Sequence, residues 1–96
     1  MYCFAYGVKN YLMPLAALQI AQQVLINNGF EVFDPVQPGK ITMAGNHYGV
    51  GVMVTVVSMD CEGGAATVIN AFTANQNQIE AARTMADTVC VAIQNG

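Results

Sequence analysis

Charge is what this chain has least of. Nine of its 96 residues are charged, and the basic ones are only Lys9, Lys40 and Arg83, for a net charge of −3. That leaves no basic stripe to follow a phosphate backbone, so nucleic acid is not an expected partner. Histidine is confined to His47, and Cys3, Cys61 and Cys90 stand far apart with no CxxC pair. Zinc sites draw on closely spaced ligands, so no metal site is expected. Asp34, Asp60, Glu62 and Asp87 form no EF-hand loop, and the Asp60-Glu62 pair reads as a solvated turn. Gly49-Val50-Gly51 and Gly63-Gly64 lack the strand-to-helix setting of a nucleotide loop, and no cofactor is expected. An odd cysteine count allows one disulfide and leaves a thiol over. Cys3 and Cys90 are expected as small buried side chains, Cys61 in a turn.

Long apolar runs are missing too. The uncharged segment from Asn10 to Phe30 is interrupted by Gln19, Gln22, Gln23, Asn27 and Asn28, whereas a membrane span needs about 20 predominantly apolar residues. The stretch from Ile41 to Met59 is long enough, but its Gly45-Asn46-His47 and alternating valines read as a hairpin. A soluble chain without membrane contact is expected. Met1 to Ala5 shows neither a basic n-region nor an apolar h-region, which predicts a cytoplasmic protein or one whose export signal has been removed. Fifteen amide side chains outnumber the nine charged ones; such surfaces suit exported domains or surfaces covered by partners.

What is present is apolar side chain, 54% of the residues, enough for one folded domain over 1–96. Tyr2 to Val8 alternates large and small residues and reads as a strand, with Tyr2, Phe4 and Tyr6 on one side and Cys3, Ala5 and Gly7 on the other. A helix is expected from Pro14 to about Asn28, with Gly29 as its stop. Short strands follow over Phe30 to Asp34 and Lys40 to Ala44, either side of the Pro35–Gly39 loop. Gly45-Asn46 reads as a two-residue hairpin turn, feeding a long strand from about His47 to Met59 with Gly49 and Gly51 at bulges. Asp60 to Gly64 turns the chain into a strand over Ala65 to Thr73. Apolar residues at three- and four-residue steps predict a helix over Asn75 to Asn95, with Arg83 reaching Glu80 and Asp87.

Strand, helix, strands, helix is the order of an α+β two-layer sandwich: a mainly antiparallel sheet of four to five strands with two helices on one face. In outline it resembles the ferredoxin-like layout, which closes with a further strand after its second helix.

The strand ending at Met59 has apolar residues on both sides: Val50, Val52, Val54 and Val56 against Met53, Val57 and Met59. Helices can cover one side; the other then needs a partner or a ligand. The expected function is a small non-enzymatic interaction or small-ligand binding domain, acting as a homo-oligomer, a dimer, through an apolar sheet face. Its ligand or interface candidates are Tyr2, Phe4, Tyr6, His47, Tyr48 and Met53. If the helices cover the Cys3, Ala5 and Gly7 side, the aromatic side joins the open face. The alternative is a small α+β enzyme or enzyme subunit with an apolar pocket using tyrosine hydroxyls, His47 and Cys61. No catalytic residue is assigned. One long strand would hold a Cys61–His47 dyad roughly 30 to 40 Å apart, and only an antiparallel dimer would bring one subunit's His47 to the other's Cys61.

Overall fold

Side chains alternate across a strand, so a sheet of such strands has one face to bury, and the two helices supply the cover. In the computed structural model, which describes residues 1–96, the chain runs β1 (Tyr2–Asn10), α1 (Pro14–Asn27), β2 (Glu31–Asp34), β3 (Thr42–His47), β4 (Val52–Cys61), β5 (Gly64–Thr73), a 3₁₀ turn (Gln76–Gln78) and α2 (Ile79–Asn95). The strands form one fully antiparallel sheet in the order β1-β5-β4-β3-β2. This is the expected α+β sandwich. Both helices lie on the same face and touch each other, α1 mainly over β4 and β3, α2 over β1 and β5.

The core lies between these layers. Val52, Val54 and Val56 of β4 meet Ile69 and Ala71 of β5, Met43 of β3 and Val8 of β1, under Leu18, Ala21 and Leu25 of α1 and Met85, Val89 and Ile93 of α2. Each fully buried valine or larger side chain contributes about 1.5 to 3 kcal/mol. Asn10 ties the end of β1 to α2, its amide donating to the Ile93 carbonyl at 2.9 Å.

Element ends follow local chemistry. Pro14 opens α1, and Gly29 takes φ +82° just past it, while the Asn28 amide donates to the Val24 carbonyl at 2.7 Å. The second helix starts later than its periodicity suggests. Asn75 accepts the Asn77 N–H at 2.9 Å and caps a 3₁₀ turn, so the α-helix proper begins at Ile79. Arg83 pairs with Glu80 at 3.1 Å, as expected, but its second partner is the Phe4 ring, 5.1 Å from the guanidinium carbon, rather than Asp87.

The readings of Gly45-Asn46 and of Cys3 are corrected as well. Gly45-Asn46 is no turn: both lie inside β3, paired with Val54 and Met53. The chain reverses at Tyr48–Gly51, where Gly51 has φ +76° and donates to the His47 carbonyl at 2.7 Å. The long strand expected from His47 is therefore the end of β3 plus β4, and Gly49 and Gly51 belong to the turn instead of bulges. Gly45 answers packing: a Cβ there would lie 3.1 Å from Leu25 Cδ1 and 3.3 Å from the Glu31 carbonyl. The second correction concerns Cys3, which is exposed, whereas Cys90 is buried as expected. Phe4, Tyr6 and Val8 turn toward the helices, because their larger side chains have more surface to remove from water, and this phase puts Cys3 outward.

Candidate functional site

Residues paired across antiparallel strands point to the same face, so the register maps the side of the sheet away from the helices. Its first row is Cys3, Phe72, Met53, Asn46 and Glu31; its second, Ala5, Asn70, Thr55, Ala44 and Asp34. Gly7, Val68, Val57 and Thr42 form the third row, and Lys9, Ala66 and Met59 the fourth. This face is open. Met59 is 56% and Val68 46% exposed, and Met53, Val57 and Phe72 are half-buried only by their neighbours. The first-row end is dished into a hollow of about 220 Å³, with Met1, Asn46, Met53 and Phe72 on its walls.

The centre of the open face carries no charge. Lys9 sits at its β1 margin, Glu31 and Asp34 at its β2 margin. Asp34 is already engaged: the Lys40 ammonium donates to one carboxylate oxygen and the Thr42 hydroxyl to the other at 3.1 Å. The Lys40 hydrogen bond holds the Asp34 carboxyl below the usual carboxylate range, partly opposed by desolvation.

A second concavity lies in the helix layer, where the β3–β4 turn meets the end of α1 and the start of α2. Asn28, Phe30, His47, Val50, Val52, Ala81 and Met85 line a cleft of about 160 Å³. The His47 ring stands edge-to-face with Phe30, centroids 5.4 Å apart at 88°. Its Nδ1 is buried without a hydrogen-bond partner. Gly29 leaves the room for the ring, since a Cβ there would come within 3.1 Å of His47 Nε2.

The six residues singled out from sequence are thus dispersed. Met53 lies on the open face. Phe4 and Tyr6 pack against the core under the helices, so the arrangement that would have put them on the open face is not the one formed. Tyr2 is 36% exposed at the start of β1, and Tyr48 is 70% exposed at the turn. His47 belongs to the cleft. His47 and Cys61 remain apart, because His47 pairs with Val52 and Cys61 ends β4 nine residues later, roughly 30 Å at 3.3 Å per residue. Strand phase also sets them on opposite faces, so a dimer through the open face does not join them. No three His, Cys, Asp or Glu side chains converge, and no helix is long and apolar enough to cross a membrane.

Sequence reading missed the open-face residues Val68, Phe72 and Ala66 because β5 reads equally well from either side; β4 alone signalled two apolar faces. Comparison with family models, curated proteins and solved structures found no match for this chain.

Proposed function

We propose that this domain is a non-enzymatic interaction module that pairs with a second copy of itself through the open face of its sheet. The observation that carries this reading is the charge-free centre of that face, where Met53, Val57, Met59, Val68 and Phe72 remain in contact with solvent on an otherwise folded domain. The size of the face supports it. Strands of these lengths, spaced at about 4.8 Å and rising about 3.3 Å per residue, cover roughly 600 Å² in projection. The corrugated accessible surface is larger, near the ~800 Å² that each partner of a standard interface contributes. Two such faces stack at about 10 Å with side chains interdigitating. Small residues at Cys3, Ala5, Gly7, Ala44 and Ala66 allow close approach around the larger ones.

Sedimentation at micromolar concentration tests the proposal. The expected result is a dimer that Val57→Lys with Val68→Lys converts to a monomer, while the thermal transition of the diluted, monomeric protein stays in place. A wild-type chain that sediments as a monomer throughout that range overturns it.

A further inference from the structure

We infer that the cleft at the β3–β4 turn binds a small neutral molecule, one six-membered ring carrying a single hydroxyl, with the hydroxyl on His47 Nε2. Three observations converge there. The first is an imidazole whose nitrogens are idle within the chain. His47 Nδ1 is buried without a partner, and Nε2 makes no hydrogen bond within the chain either, so it keeps open surface. A phenyl ring would serve packing as well, taking the same edge-to-face place against Phe30 with no polar atom to desolvate. Glycines on both sides admit the imidazole: a Cβ at Gly29 would stand 3.1 Å from Nε2, and one at Gly49 3.4 Å from Cε1.

The second observation is size. The cleft measures about 160 Å³, close to the ~150 Å³ apolar cavity that admits benzene. One ring fills it. The third is the character of the walls, where Phe30, Val50, Val52, Ala81 and Met85 supply apolar surface and no charged side chain takes part. A charged ligand would give up its hydration with no counter-charge in return, so the occupant is neutral. Asn28, the other polar residue of the lining, already donates its side-chain amide to the Val24 carbonyl at 2.7 Å, which leaves the imidazole as the anchor. A hydroxyl suits that anchor in either tautomer, because it both donates and accepts. The cleft lies in the helix layer, across the sheet from the open face, so this site stands or falls independently of the dimer.

Phenol and toluene, which exchange a hydroxyl for a methyl on the same ring, test the site. In methyl NMR spectra of the full chain, phenol is expected to cause saturable shifts at Val50, Val52, Ala81 and Met85, and to bind at least as tightly as toluene. In His47→Phe, phenol is expected to weaken roughly tenfold while toluene keeps its affinity, since the hydroxyl loses its partner on entering the cleft. Ala81→Leu, which places a larger side chain in the cleft and spares His47, is expected to block both probes. Thermal transitions show whether each variant is folded, and either variant alone decides the matter. Shifts that do not saturate, or that saturate away from the cleft, overturn the proposal. So does a preference for phenol that survives His47→Phe, or binding that Ala81→Leu leaves untouched.

Discussion

The hydroxyl oxygens of Ser58 and Thr67 lie 2.9 Å apart across β4 and β5, both side chains sealed from solvent in the helix-facing layer. Each satisfies the other where water does not reach. Ser58→Ala leaves the Thr67 hydroxyl unpaired and is expected to cost about 1 to 3 kcal/mol. Ser58→Ala combined with Thr67→Val removes both polar groups and should cost less than the two single changes together, with a coupling of about 1 kcal/mol. Urea denaturation of the four proteins gives the cycle, and simple additivity would reject the pairing.

The β4–β5 hairpin contains two glycines that differ in what surrounds them. Gly63 has φ +83° with open space where a Cβ would stand, so Gly63→Ala is expected to cost only the backbone term of about 1 to 2 kcal/mol. Gly64 has φ +152°, and a Cβ there would collide with the Asn10 carbonyl and lie 2.8 Å from Tyr11 Cα, where β1 leaves the sheet. Gly64→Ala should therefore destabilise by clearly more, and hydrogen exchange should quicken at the Lys9–Asn10 end of β1. Equal losses in thermal melts of the two variants would contradict this close approach.

His47 contributes a buried nitrogen with no partner, which burdens the fold instead of supporting it. His47→Leu keeps a side chain of similar volume against Phe30 and Val52 and is expected to be neutral or stabilising by up to about 2 kcal/mol. A loss of more than that in chemical denaturation would show that Nδ1 has a stabilising partner in solution.

Acid acts on Asp34. Its carboxyl is held below the usual range chiefly by the Lys40 hydrogen bond, so the folded state binds that proton less readily than the unfolded chain. The contribution is complete above the unfolded carboxyl's titration range and is lost as the pH falls through the folded one. Lys40→Met should flatten the acid limb of the stability curve below about pH 4. At neutral pH it should cost at most about 1 kcal/mol, because the pair is still a third exposed. An unchanged acid limb in melts recorded across that window would remove the pair from the account.

Periodicity carried much of the architecture. The two helices, the α+β class and the two apolar sides of β4 follow from spacing alone, because burying a face demands repeats of 3.6 or 2 whatever the partner is. The turn at Tyr48–Gly51 was not legible in the same way. Gly45-Asn46 carries a hairpin signature, but Gly45 is there for Leu25 and the Glu31 carbonyl, which approach it from α1 and β2. Local turn chemistry cannot register such distant neighbours.

The sequence by itself determined that β4 carries apolar side chains on both of its faces and that charged side chains are few. Which surface is left over was decided only in the tertiary structure. The alternation in β1 offered either the aromatic side or the small side to the helices, and packing took the aromatic side because it removes more apolar area from water. That choice sent Phe4 and Tyr6 inward and Cys3 outward. Strand order then placed Lys9 and Glu31, 22 residues apart in the chain, at opposite corners of one face, a relation set by long-range pairing that no local pattern contains.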